Sequence, residues 1–210
     1  MLKDYINEDV KLNKNQTISI ACLIVVISGV FGWIYEVIFY YFNSGMKEVY
    51  MRGGNFLPWI NIYAYGAFLI LFLTYRRRKH PLQVFLISMI STGILEYFSG
   101  YVLYGLLGWR RCWDYNQEIL NFGNINGYVC LRSVLVFGLC GLMLIYLILP
   151  VLIKIAKKIN EKKLLVFSII ICSIFVLDEI YNLFLYKLLS LPKSTEIYSK
   201  YFYFKYLYFK

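Results

Sequence analysis

Apolar residues run almost unbroken through five stretches: Ile18 to Phe42, Ile60 to Tyr75, Leu82 to Leu107, Val129 to Ile153 and Leu164 to Leu189. A bilayer core about 30 Å thick needs about 20 mostly apolar residues in a helix, because in lipid the backbone must satisfy its own hydrogen bonds. The pattern therefore predicts an all-α membrane protein with about five transmembrane helices, the second of them short. In the first stretch Ser28, Gly32 and Glu36 recur at steps of four, and in the third Ser88, Thr92, Glu96 and Gly100 do the same. Steps of four fall on one helix face, where small residues let a neighbouring helix approach closely. Each of these two spans leads through a long connection into another span, so the chain reads as two parallel helix-loop-helix repeats plus one extra helix, an organisation frequent in transporters. No linker divides the apolar part. The reading is one transmembrane domain over 17–191, preceded by an arm (1–16) and followed by an aromatic, Lys-rich tail (192–210). The first run lacks a small-residue cleavage site and is read as a retained span.

Composition sharpens this picture. Of 210 residues 60% are hydrophobic and only 16% charged, with a mean hydropathy of +0.59, whereas soluble domains carry about 25% charged residues. In a soluble protein a net charge of +10 would point to nucleic acid. Here the Lys and Arg cluster beside the apolar runs, the pattern of topology determinants and of contacts with anionic lipid, so no nucleic-acid partner is implied. The clusters are Lys3, Lys11 and Lys14; Arg76, Arg77, Arg78 and Lys79; and Lys154, Lys157, Lys158, Lys162 and Lys163. The positive-inside rule places these in the cytoplasm of a multi-pass cell-membrane protein, and the first and third connections outside. Five crossings then send the tail outside, against its own Lys193, Lys200, Lys205 and Lys210. The Tyr, Phe and Lys alternation from Tyr198 onward suits an interfacial anchor, with a partner-binding strand as the second reading.

Ionisable groups inside apolar spans each cost about 3 kcal/mol at mid-helix, so they call for partners, water or a proton. Glu36, Glu96, Arg132, Asp178 and Glu179 are such groups, and Arg132 is expected to pair with Glu36 or Glu96. A structural ion pair and a polar pathway for substrate or ion are both open. Asp178 shares a helix face with Tyr181 and Asn182 and reads as a buried hydrogen-bonded cluster. The first connection holds Arg52, Gly53, Gly54 and Pro58, a turn-rich segment with a fixed guanidinium fork. The third runs from Trp109 through Arg110, Arg111, Cys112, Trp113, Asp114 and Tyr115, then becomes dense in Asn and Gly from Asn121 to Gly127. Such backbone beside a membrane suits either a cap over a cavity or simple Trp and Tyr anchoring. Cys22, Cys140 and Cys172 lie within apolar runs, and Cys112 and Cys130 read as thiols ahead of a disulfide. No spacing fits a metal, and no cofactor is implied.

Several of these segments resemble a known family. Gly32-Trp33-Ile34-Tyr35-Glu36 ends the first span; Arg52-Gly53, Pro58 and Ile62-Tyr63-Ala64-Tyr65-Gly66-Ala67 follow; then come Leu95-Glu96-Tyr97, Trp113-Asp114-Tyr115 and Asn124 to Leu131. Over Gly32 to Pro150 this resembles the CmpB-like family of bacterial membrane proteins, described as type IV ABC-transporter permeases. Tyr128 stands where the family tends to have Arg, Asn61 where it has Pro, and Ala64 where it has Gly. The resemblance implies a permease-like subunit served by a separate ATPase, since the chain has no GxxxxGK[ST] phosphate loop. Gly32, Gly53, Pro58, Tyr63, Gly66 and Gly127 are read as structural or packing positions.

No HExxH or GxSxG motif occurs, and the one histidine, His80, sits in a basic cluster, so the chain is not expected to be an enzyme. A transport component is the leading expectation, with Glu36, Arg52, Glu96, Trp113, Asp114, Tyr115 and Arg132 as pathway candidates and Asp178 and Asn182 as structural ones. The alternatives are an accessory scaffold packed on a partner, or an enzyme that modifies lipid headgroups through Asp114 and Glu118. The expected partners are the bilayer and either an ATPase subunit or a second copy of the chain.

Overall fold

The computed structural model describes residues 5–6, 10–109 and 111–207; Lys3, Arg110 and Lys210, used above for charge and loop character, lie outside them. Six helices organise the described residues. They are α1 (Lys14–Asn43), α2 (Asn61–Thr74), α3 (Pro81–Leu106), α4 (Leu131–Lys158), α5 (Glu161–Leu188) and the short α6 (Ser194–Tyr201). Local chemistry sets their starts. Asn13 caps α1 in a reciprocal box with Gln16, Pro81 occupies the first turn of α3, and the Asn160 side chain accepts from the backbone N–H groups of Lys162 and Lys163, each satisfying or removing an orphan donor.

Four helices, α1, α3, α4 and α5, are long and apolar enough to cross a membrane. The second expected span differs: α2 has 14 residues and rises about 21 Å, short of a bilayer core. It packs instead against α1, α3 and the middle of α4. Polarity runs inside out relative to a soluble bundle. On α3 the buried positions are Val84, Ser88, Thr92, Glu96 and Gly100, while Leu86, Ile90, Ile94 and Phe98 are exposed. That inversion suits lipid as the solvent, with close packing and hydrogen bonds, rather than apolar burial, holding helices together. Gly32 lies against the Tyr63 ring of α2, Gly93 against Val134 of α4, and Gly141 against Ser88. The two expected helix-loop-helix units correspond to the pairs α1–α2 and α3–α4, though of unequal length.

The ends of the bundle differ sharply. At the amino-terminal pole, Arg78 donates to the Tyr5 carbonyl and Gln16 to the Ala156 carbonyl. This gathers the arm and the second and fourth connections over an apolar core that includes Ile24, Val84, Ile145, Leu149 and Ile153. The basic cluster of the fourth connection is not a loop, because α4 continues to Lys158 and only residues 159–160 separate it from α5. At the opposite, loop pole lie the first connection (44–60), the third (107–130) and the tail. The Met51 N–H donates to the Lys205 carbonyl at 2.8 Å, and the Tyr198 hydroxyl donates to the Phe56 carbonyl at 2.7 Å. The tail thus packs on the first connection, at the end of the bundle that an odd number of passages requires.

Candidate functional site

The loop pole holds a buried ionic network assembled from three helices and two connections. On α1, Glu36 accepts from Arg52 Nε at 2.8 Å, and both side chains are largely buried. Arg52 reaches it because Gly53 (φ +77°) turns the chain against the Trp59 carbonyl, leaving no room for a side chain in a conformation that glycine alone adopts freely. The rest of the Arg52 fork donates to the Cys112 carbonyl at 2.5 Å and the Leu207 carbonyl at 3.1 Å, and its plane covers the Tyr40 ring at 3.8 Å. One guanidinium therefore ties α1, the third connection and the tail together. Burial works against its charge, but Glu36, Tyr40 and Cys112 outweigh burial and hold its pKa above the usual range.

Tyr40 extends the network by donating to Glu118 at 2.5 Å, and Glu118 accepts from Arg132 at 2.7 Å. The expected partner of Arg132 is thereby corrected. It pairs with Glu118 of the third connection, not with Glu36 or Glu96, because it sits in the first turn of α4, where that connection folds back over it. The guanidinium lies 4.0 Å from the Phe39 ring centroid and 5.3 Å from that of Tyr115, close enough for cation–π attraction. Its buried Nε has no hydrogen-bond partner.

Glu96 on α3 completes the set without a cation. Tyr115 donates to its Oε1 at 2.5 Å, and Ser133 Oγ lies 2.8 Å from its Oε2. Burial first, with the neighbouring acids Glu96 and Glu118 adding to it, pushes the Tyr115 phenol well above its ordinary value, so it stays a donor. Ser133 is placed by the start of α4, where Cys130 is the cap and the two residues bond reciprocally.

A cavity of about 20 Å³ lies among Tyr35, Glu36, Tyr40, Tyr115, Glu118, Arg132 and Ser133, space for about one water. Phe137 borders both it and a deeper, mostly apolar cavity of about 40 Å³ bordered also by Ser28, Tyr63, Gly66, Ala67 and Cys140. Beyond that the bundle closes on the apolar core of the amino-terminal pole.

Of the pathway candidates, Glu36, Arg52, Glu96, Tyr115 and Arg132 come together here. Trp113 and Asp114 stand beside the network in other roles. Trp113 donates from Nε1 to the Tyr128 carbonyl and packs edge-on against Tyr104. Asp114 accepts from the Asn116 N–H and from the Asn116 and Gln117 side chains and pairs with Arg111. It is the hub of a turn over Gly127, whose positive φ and contact with Asp114 exclude any side chain. Tyr63 and Gly66 line the deeper cavity. Pro58 belongs to the turn that brings Trp59 into a small apolar cluster with Phe175. Asp178 accepts from the Phe56 and Leu57 N–H groups and from the Asn182 side chain, whose amide oxygen Oδ1 accepts from the Ser194 N–H. Tyr181 leaves that cluster and donates to the Pro192 carbonyl. Together these contacts bind the first connection and tail to α5. Glu179 accepts from the Tyr65 hydroxyl. All five cysteines are free thiols.

The sequence signals did not point to Tyr40, Ser133 or the pairing role of Glu118. Tyr40 is one of many aromatic residues in an apolar run, and nothing periodic in a 24-residue connection says that Glu118 folds inward.

No curated protein and no solved structure matches this chain. The family model described as "Putative ABC-transporter type IV" matches residues 23–183. That span runs from α1 into α5 and contains every helical member of the network, and the chain belongs to this family.

Proposed function

We propose that this chain is the membrane-embedded, permease-like component of a transport system, and that the ionic network at the loop pole is the polar entrance through which its substrate or ion passes. One observation carries this reading. Three acidic side chains and two guanidinium groups are gathered between α1, α3 and α4, and Glu36, Glu118 and Arg132 of that set border a small cavity, inside a bundle where each buried charge costs several kcal/mol. A scaffold obtains the same cohesion more cheaply from apolar packing. Family membership supports a transporter-related membrane protein. The basic clusters at the amino-terminal pole support a cytoplasmic orientation for it in the cell membrane, leaving the network toward the outside. In this reading the apolar core below the deeper cavity is the closed gate, and the chain itself catalyses no bond-breaking step. ATP hydrolysis belongs to a separate subunit docking on the amino-terminal pole, since no phosphate loop is present in the sequence.

The test is flux. Membrane vesicles carrying the chain with its co-purifying partners should show ATP-dependent uptake or release, screened across ions and amphiphiles. Glu36→Gln and Glu96→Gln should abolish it while folded protein persists. Undiminished flux in well-folded variants of both would overturn the assignment of the network. The accessory-scaffold reading is favoured by one feature, the bracing of α1, the third connection and the tail by Arg52, and it predicts loss of a partner complex without any flux of its own.

A further inference from the structure

The hydrogen bonds around Glu96 do not balance if it is a carboxylate. Ser133 Oγ lies 2.8 Å from Glu96 Oε2 and 2.8 Å from the Cys130 carbonyl oxygen, and it accepts from the Cys130 N–H at 3.3 Å. A hydroxyl carries one proton and two lone pairs. The Cys130 carbonyl already accepts from the Val134 N–H at 3.2 Å, but two oxygen–oxygen contacts of 2.8 Å each call for a bridging proton, and Ser133 supplies only one. The conflict disappears if Oε2 carries a proton. Glu96 then donates to Ser133 Oγ, Ser133 donates to the Cys130 carbonyl, and Tyr115 donates to Oε1, giving every group a complementary partner.

Charge counting leads to the same place independently. The titratable groups interacting with Glu96 are Glu36 from α1, Tyr63 from α2, and Tyr115 and Glu118 from the third connection; Arg52 and Arg132 enter as the partners of Glu36 and Glu118. Glu36 is matched by Arg52 and Glu118 by Arg132, each within 2.8 Å. Of the three acids of the network, Glu96 has hydroxyl partners only, and a buried unmatched charge is far costlier than a neutral acid.

We propose that Glu96 is a proton-binding site: its carboxyl carries a proton on Oε2 in the resting protein and exchanges it with water at the loop pole through the cavity bordered by Ser133 and Tyr115. In the exchange the Oε2–H bond breaks and the proton passes to water, forming hydronium. The Ser133 hydroxyl turns from the Cys130 carbonyl to the new carboxylate, and the network goes from neutral to a single negative charge. The proposal names the ion of the pathway suggested above and so rests on that reading for its purpose. Its test does not require flux.

The experiment is infrared spectroscopy of the full chain in lipid nanodiscs at neutral pH. The wild type should show the carbonyl stretch of a hydrogen-bonded, protonated carboxylic acid, shifted in deuterium oxide. Glu96→Gln should remove that band and Glu36→Gln should leave it. Tyr115→Phe deletes the hydrogen bond to Oε1, so it should keep the band and move it to higher frequency. It carries the test alone if Glu96→Gln does not fold. Absence of an acid band from the wild type, or a band unmoved by Tyr115→Phe, overturns the proposal. A band that behaves as expected in a protein without flux leaves the proton site standing and removes the transport reading.

Discussion

Two glutamates occupy similar places in the two helix pairs and are treated in opposite ways. Glu36 follows Ser28 and Gly32 on α1, and Glu96 follows Ser88 and Thr92 on α3, each at steps of four and each on the buried side near the loop pole. Glu36 meets Arg52, whose remaining donors are bound to two backbone carbonyls. Glu96 meets only the hydroxyls of Tyr115 and Ser133. A guanidinium fixes the charge of its partner and cannot itself be deprotonated, so the α1–α2 pair is a permanently charged clamp. Hydroxyls serve both the acid and its anion, so the α3–α4 pair tolerates a change of charge. One repeated motif thus yields a structural half and an adjustable half, and the difference lies in residues that each long connection delivers.

Breaking the clamp should have the largest effect. Arg52→Leu leaves Glu36 buried without its cation and releases the Cys112 and Leu207 carbonyls, and it should cost about 4 kcal/mol. Thermal unfolding in detergent would register it as a large fall in Tm. Adding Glu36→Leu should recover a good part of that loss, since replacing both members of a buried pair costs less than removing one. Glu96→Gln, by contrast, keeps shape and hydrogen bonding and should cost under about 1 kcal/mol. Equal losses in Arg52→Leu and Glu96→Gln would erase the distinction between the two halves.

Next come the supports of the clamp. Asp178 accepts the N–H groups of Phe56 and Leu57, which hold the connection that carries Arg52. Asp178→Ala strands both donors and should cost about 2 kcal/mol. It should also speed amide exchange at residues 51–57, and a variant with unchanged exchange there would detach this anchor from the clamp.

The helical part of the fold was readable because lipid demands long apolar runs, and four of the five became helices of membrane-crossing length. The short α2 was legible as short, but not its position against α1, α3 and α4, which depends on contacts such as Gly32 with Tyr63 rather than on periodicity. Within the site, Glu36, Glu96 and Arg132 announced themselves as charges in apolar surroundings. Their partners did not. Glu118 and Arg52 arrive from loops, and loop paths are set by turns such as those at Gly53 and Gly127, which a sequence marks without giving their direction. Arg132 was therefore expected beside the wrong acid. The Lys-rich tail looked misplaced by charge alone, and its docking on Met51 and Phe56 is a matter of backbone and aromatic contacts.

The smallest expected effect, at Gly66, emerges from setting two glycines within the α1–α2 pair against each other by available space alone. A Cβ on Gly32 would penetrate the Tyr63 ring, whereas a Cβ on Gly66 would meet only Thr92 Cγ2 at 3.7 Å, an ordinary contact. Gly32→Ala should therefore force α1 and α2 apart at a cost of about 2 kcal/mol. Gly66→Ala should stay within about 0.5 kcal/mol of the wild type, its small packing change offset by better helix propensity. The two substitutions add the same methyl to neighbouring helices, so comparing their melting temperatures isolates packing from chemistry. Were Gly66→Ala the more damaging, the tight seam would lie between α2 and α3, and the close contact of Gly32 with Tyr63 would not be what sets the spacing of α1 and α2.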